Sequence, residues 1–387
     1  MTSEEGVVVA ACGAGRAAGP LLRIERDRRQ PVFDRAGPQA NDGVVVIRLL
    51  FLVSIALVAA GCGNSNRLDT RTSVPVAFVH GGREIVVVHA DGSDRHTFPR
   101  IPGRGDLGGI AWSPDGRKLA FDASDLGRPR KPTYADIYVV HADGSGVRQL
   151  TRTYEDDLDP VWSPNGRSLA FDRNDDGYNA IWSIDANGSD VRRLTPGTSF
   201  GGPAWLLSGR EIAFSDGRTA YVMKADGSVR HRLALPANLS GADLVWSPDL
   251  RSIALVSAKG VFVMQSNGAG MRRVAAPLPG EIRDVAWAPD GRQIAFTGGD
   301  GRDWEIYVAN ADGSRRRQLT NNRRVQDQYP SWSPDSKAIV FERTSFPGST
   351  AYPGKTEIYV MNADGSSQRK LSQSSAGDSD PVWAPNG

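Results

Sequence analysis

Cysteine is scarce. Only Cys12 and Cys62 occur in 387 residues, so no disulfide framework is available to staple the fold. An excess of charge of one sign is also missing: 46 Lys and Arg stand against 44 Asp and Glu, a formal net charge of +2. The two signs are interleaved, and without a basic stripe to follow a phosphate backbone the sequence speaks against nucleic acid as a partner. The apolar run at 49–60 is twelve residues long, short of the roughly 20 that cross a bilayer as a helix. No window shows a 3.6-residue period, which excludes a helical solenoid. Catalytic signatures are missing too, with no Gly-x-Ser-x-Gly elbow, no His-Glu-x-x-His and no Cys–His pairing in the repeat region.

What is abundant is repetition. The stretch Trp112-Ser113-Pro114-Asp115-Gly116-Arg117-Lys118-Leu119-Ala120-Phe121 returns every 41 to 51 residues, with copies starting at Trp112, Trp162, Trp205, Trp246, Trp287, Trp332 and Trp383. The copies at Trp205 and Trp246 are degraded at the turn. A second signature, Asp136-Ile137-Tyr138-Val139-Val140-His141-Ala142-Asp143-Gly144-Ser145, recurs from Glu84, Ala180, Ala220, Gly260, Glu305 and Glu357. A period in the forties outweighs the two or three domains that length alone suggests and points to one array.

In the second repeat, four apolar runs at 109–112, 118–121, 136–140 and 147–150 read as strands. Pro-Asp-Gly and Ala-Asp-Gly supply the hairpin turns, with Gly providing a positive φ. A four-stranded antiparallel sheet repeated seven times cannot bury both faces alone, and radial packing about an axis solves this. The expected fold is therefore all-β, a seven-bladed β-propeller. The first copy starts mid-repeat at Val76-Ala77-Phe78-Val79-His80 and the last stops mid-repeat at 381–387. Pairing of these halves is expected to close the ring and leave no open edge.

Trp-Ser-Pro-Asp-Gly-Arg-x-Ile/Leu-Ala-Phe followed by Ile-Tyr-Val-Met-Asn-Ala-Asp-Gly-Ser resembles the repeat of the TolB-type propellers, which also builds the propeller of dipeptidyl-peptidase-like enzymes. The likeness covers residues 76–387. It departs from the TolB pattern by lacking that protein's N-terminal α/β domain and by carrying more copies than its propeller has blades. A dipeptidyl-peptidase reading would need a hydrolase domain beside the repeats, and the repeats fill the chain from residue 76 onward.

Ahead of them, Arg48, the apolar run and Gly61-Cys62 read as the basic region, core and cleavage site of a signal peptide at 44–61. Leu57-Val58-Ala59-Ala60-Gly61-Cys62 resembles the bacterial lipobox, with Ala59 where that pattern prefers Leu. The resemblance implies lipid on Cys62; a buried structural cysteine is the alternative. Residues 1–43 precede a signal that belongs at an N-terminus, so they are expected to be disordered or untranslated, with the start at 44–46. Residues 62–75 are polar and read as a tether reaching roughly 40 Å.

The a-to-b and c-to-d turns are short and share one face. The d-to-a and b-to-c connections vary, and the long b-to-c loops at 122–135 and 343–356 carry Tyr134, Phe346 and Tyr352. A ligand surface is expected on this face, pointing away from the membrane. Three residues before each repeat Trp stand Gly109, Asp159, Gly202, Asp243, Asp284, Tyr329 and Asp380. Placed at the start of the innermost strands, Asp159, Asp243, Asp284 and Asp380, with Tyr329, would make an acidic channel mouth suited to a hard cation such as calcium or to a basic peptide. The plainer use of such an Asp is to bond N–H groups of its own loop.

Other signals are weaker. Asp172 to Gly177 has half of a calcium-loop spacing, but Ser183 stands where a bidentate Glu is needed, and a hairpin tip is the preferred reading. Arg192-Arg193, Arg272-Arg273 and Arg315-Arg316-Arg317 read as protection of outer strands rather than an anion site. His89 and His141 fill a solvated turn position. The sequence thus suggests a membrane-anchored envelope lipoprotein whose propeller binds a protein or peptide without a required cofactor. The alternative is a metal-dependent hydrolase or lyase working at the acidic mouth.

Overall fold

The structure, a computed structural model, describes residues 74–385 apart from 102–103, 126–133, 176–177, 197–200, 207, 216–218, 229, 234–242, 250, 258, 301–302, 347–353 and 373–375. The expected signal peptide, lipidated Cys62, the tether up to residue 73 and Tyr352 lie outside that set.

Seven four-stranded antiparallel sheets form the propeller. Strand a of blades 1 to 7 is, in turn, Asp378–Trp383, Arg104–Trp112, Asp156–Trp162, Gly201–Trp205, Asp243–Trp246, Glu281–Trp287 and Val325–Trp332. Every one ends on a repeat Trp. Each strand a also touches the next one all the way round, so these are the inner strands of a closed ring. Blade 1 takes its other strands from the opposite end of the chain: Pro75–His80 pairs with strand a, placing Val76 opposite Trp383 and His80 opposite Asp378. The ring closure expected from the two half-repeats is therefore present. Its first strand begins at Pro75, one residue earlier than expected.

The middle strands explain why the repeat reads as an apolar run rather than a strict alternation. Strand b is covered on both faces by neighbouring blades, which favours continuous hydrophobic residues. In blade 1, Val76, Ala77, Phe78 and Val79 are all fully buried. The Phe closing the repeat motif, at Phe78, Phe121, Phe171, Phe296 and Phe341, is among the largest fully buried side chains. Val76, Phe78 and Val88 of blade 1 pack with Val340 and Val360 of blade 7, while Ala77 and Val87 pack with Leu119 and Tyr138 of blade 2. The core is thus a set of blade-to-blade layers.

Two side-chain devices fix the blades. Ser113 Oγ donates to Asp115 and accepts from the Lys118 N–H at 2.9 Å, while Gly116 adopts φ 66°, so Ser, Asp and Gly each have a turn role. The same bonds recur at Ser247/Asp249 and Ser333/Asp335. Between blades, Trp162, Trp287, Trp332 and Trp383 donate from Nε1 to the carbonyl just before the preceding blade's Trp, at Ala111, Val245, Ala286 and Ser331, over 3.0–3.2 Å. At Trp112 and Trp205 the buried Nε1 makes no such bond.

Candidate functional site: the axial channel

The expected mouth residues need a correction of place. Gly109, Asp159, Asp284, Tyr329 and Asp380 sit inside strand a rather than at its start, each at a shift of ladder register, a β-bulge. All five have positive φ, from 51 to 55°. The bulge turns these residues off the ladder, and only Gly, and to a lesser degree Asp and Asn, adopt that conformation readily. The alternation of Gly and Asp in this column therefore has a backbone cause as well as a chemical one. Tyr329 is the strained member, 51% exposed at φ 53°. Asp243 does begin its strand, opposite Val256; its side chain lies outside the described set. Gly202 lies in strand a of blade 4.

A second layer of carboxylates lies behind the bulges and was not read from the sequence. Asp122 and Glu342, in strand b of blades 2 and 7, accept the N–H of the next blade's bulge residue: Asp159 N donates to Asp122 at 3.2 Å and Asp380 N donates to Glu342 at 2.8 Å. Asp122 also explains Gly109, because a Cβ there would fall 2.2 Å from its Oδ2. Asp172 holds the same position in blade 3, where its buried Oδ1 has no hydrogen bond. The available signal was an acid directly after the buried Phe, at Asp122, Asp172 and Glu342, but Val79, Ser215, Val256 and Thr297 fill that column elsewhere.

These groups share one field. Burial pushes Asp122 up to about 7 against the pull of the Asp159 N–H, and Asp159 and Asp380 add repulsion. Burial likewise raises Asp172 to about 7, with Asp159 contributing. Glu342 reaches about 7 through burial, opposed by the Asp380 N–H and reinforced by the charges of Asp380 and Asp284. Asp159, though open to water, is raised by loss of hydration and then by Asp380. The Tyr329 hydroxyl, though its residue is half exposed, is raised by loss of hydration and by Asp284, Glu342 and Asp380, against the opposing charge of Arg283. Acids from blades 1, 2, 3, 6 and 7 thus converge on the axis. Arg283 Nε stands 3.7 Å from Asp284 Oδ2, an ion-pair distance too long for a hydrogen bond, with its guanidinium 3.8 Å over Trp304.

A profile of the TolB beta propeller domain matches residues 69–237 and 221–387. The chain belongs to this family. Over 85 residues it is 36% identical to the Tol-Pal system protein TolB of Rhizorhabdus wittichii, covering 22% of this chain and 18% of that protein. The matched stretch is thus about a fifth of the curated relatives' length. Among solved structures it is similar to TolB from Acinetobacter baumannii, at 15% identity and TM-score 0.50 over 81% of this chain and 83% of that one. It is also similar to an oligogalacturonate lyase from Vibrio parahaemolyticus, at 13% identity and TM-score 0.56 over 77% of this chain and 85% of that one. At such identities the likeness is of fold.

Within this TolB-type propeller the remaining candidates fall into place. Asp380 keeps a local bond, accepting from Ser379 Oγ at 2.8 Å, so local bonding and axial exposure coexist there. Among the described residues no three of His, Cys, Asp and Glu come together as a metal would require. Asp172, Asn174 and Asp175 run in strand b of blade 3 (Ser168–Asp175), Asp175 opposite Tyr178, so this segment is a β-hairpin. The outer arginines reach sideways: Arg272 Nε donates to Ala311 O at 2.9 Å and Arg317 to Ala363 O at 3.4 Å, each in the next blade. These two join blades, whereas Arg192 and Arg193 bond within their own blade, to Asp190 at 2.6 Å and Thr195 O at 2.9 Å. His89 pairs with Asp94 at 3.1 Å in its exposed turn. On the long-loop face Tyr134 meets Tyr154 edge-on at 6.4 Å, and Phe346 N donates to Arg324 O at 3.1 Å.

Proposed function

We propose that this chain is a binding propeller of the bacterial envelope, held to the membrane by lipid on Cys62, whose channel receives a cationic segment of a protein or peptide partner. The observation that carries this reading is the acidic lining of the contiguous inner strands. There the bulge residues Asp159, Asp284 and Asp380 are backed by Asp122 and Glu342, which accept the Asp159 and Asp380 N–H groups, with Asp172 in the equivalent place in blade 3 and Arg283 beside Asp284. A calcium ion needs six to eight oxygens at about 2.3–2.6 Å. The acids here feel one another without forming such a set, which suits an extended cation that spans them. A predominantly acidic column walled by protein focuses its field and speeds capture of a basic partner. Relatives bearing the name Tol-Pal system protein support an envelope setting.

The test is capture of partners from solubilised membranes by the tethered protein and by the Asp159→Asn/Asp284→Asn/Asp380→Asn variant. A basic partner retained by the first and lost from the second is expected, with retention weakening as salt rises. Equal recovery by both would remove the channel from the account. For the anchor, Cys62→Ser is expected to move the protein from the detergent phase to the aqueous phase.

A further inference from the structure

Blades 3, 6 and 7 share a framework and differ at one rung. In blade 3 Arg173 lies opposite Asp157, and in blade 7 Arg343 lies opposite Asp327. Each guanidinium grips its aspartate with two bonds, at 2.5 and 2.9 Å for Arg173 and 2.7 and 2.8 Å for Arg343. Each also covers the aromatic ring of strand c, Trp182 at 4.2 Å and Tyr359 at 4.4 Å. In blade 6 the aromatic partner is kept as Tyr307, opposite Phe296 as Trp182 is opposite Phe171 and Tyr359 is opposite Phe341. The arginine is not kept: Gly298 stands in its place, opposite Ile282.

A cavity of about 330 Å³ opens there on the long-loop face, lined by Tyr307, Leu278, Glu305, Asp300, Asp303 and Arg323 among others. A Cβ on Gly298 would lie 3.3 Å from the Tyr307 ring and 2.2 Å from the Leu278 methyl. The missing side chain would therefore run along Tyr307, where the end of Leu278 now rests. Glu305 lies directly across from Gly298 on strand c and is 5% exposed, accepting from Thr320 Oγ1 and Asn322 N, both at 2.5 Å. The wall holds three carboxylates and one guanidinium, Arg323, and Asp300 and Asp303 accept the N–H groups of Asp303 and Arg324, both at 3.3 Å. An aromatic face beside carboxylates is the setting in which a planar guanidinium is favoured over a point-charge ammonium.

We propose that the blade 6 cavity takes the side chain of an arginine on a peptide partner, held between an aromatic ring and carboxylates as Arg173 and Arg343 are within blades 3 and 7, beside the space that Leu278 fills. The aliphatic stem rests on Leu278, the guanidinium lies toward Tyr307, and Asp300, Asp303 and Glu305 draw its charge. The inference stands apart from the axial reading, since none of these residues belongs to the channel.

Titration calorimetry of the full chain with N-acetyl-arginine methylamide tests it, with the neutral N-acetyl-citrulline methylamide as control. The arginine probe is expected to bind at least about tenfold tighter than the citrulline probe, a difference of about 1.4 kcal/mol. Asp300→Asn/Asp303→Asn, two exposed changes, should weaken it at least about fivefold. Gly298→Arg/Leu278→Ala, which returns the arginine and makes room for it, should abolish binding while leaving the melting temperature of the folded protein near that of the parent. No binding of the arginine probe, or equal binding of the two probes, overturns the proposal. So does binding that survives both variants but vanishes in Asp159→Asn/Asp284→Asn/Asp380→Asn, which would place the probe in the channel. Loss of partner capture by that channel variant alone leaves the blade 6 site standing.

Discussion

Strands a and b of each blade lie one ladder spacing apart, roughly 4.8 Å, and have opposite chemistry. Strand b is dry on both faces around Phe78, Phe121, Phe171, Phe296 and Phe341. Strand a of blades 1, 3, 6 and 7 is bulged and carries a non-glycine residue at positive φ, Asp380, Asp159, Asp284 and Tyr329 in turn. Trp112 to Phe121 and its copies span this border, since the Trp ends one strand and the Phe lies in the next. Across this single turn the bulge residues of strand a are open to change at small cost to the fold, whereas Asp122, Asp172 and Glu342 of strand b serve both the core and the channel.

The largest effect on that separation comes where both roles meet. Deleting 380–387 removes most of strand a of blade 1, bares the edge at Pro75–His80 and takes away Trp383, 8% exposed. A steep fall in melting temperature is expected, and an unchanged one would deny that the closing strand holds the ring. Next comes Phe171→Ala in strand b, which empties a fully buried site and is expected to lower stability by about 3–5 kcal/mol in chemical denaturation.

A middle effect is set by pH. Asp122, Asp172 and Glu342 are raised to about 7 from ordinary values near 4. In the window between those values the folded chain holds protons that the unfolded chain has released. Stability from these groups therefore falls as pH rises from 4 toward 7, with a limiting slope of about 1.4 kcal/mol per pH unit for each group fully in the window. The melting temperature should be higher at pH 5 than at pH 8, and Asp122→Asn/Glu342→Gln should flatten the profile. The smallest effect is at the bulge. Asp159→Asn keeps a residue that tolerates the left-handed conformation and is expected to shift stability by less than about 0.5 kcal/mol, while weakening partner capture. A larger loss of stability would mean that strand a is not separable from the core.

The blade count, the inner position of the Trp strand and the closure were legible because each follows from one repeated pattern and its two broken ends. The bulge was not. A bulge leaves composition unchanged, so Asp159 and Asp380 read as strand starts although strand a begins earlier, at Asp156 and Asp378. Strand b was read too short for a related reason. Asp122 to Ser124 read as loop by composition, yet they continue the ladder opposite Ile137, Asp136 and Ala135, with Asp122 protected by an N–H from the neighbouring blade. The Asp157–Arg173 and Asp327–Arg343 pairs depend on register across a hairpin, and their column holds Leu107 with Ala123 in blade 2 and Ile282 with Gly298 in blade 6. A feature present in some copies only gives no period to detect.

The pairing of His80 with Asp378 joins positions 298 residues apart, and this has a consequence in time. A ribosome adds about 5–20 residues per second, so roughly 15–60 s separate the emergence of the first strand of the ring from that of the strand it must meet. Through that interval Pro75–His80 has no strand at its inner side, and its buried faces have only blade 2 to shelter against. If blades form as they emerge, the chain is an open horseshoe before it is a ring, and the edge at Pro75–His80 must then be kept from pairing with another copy.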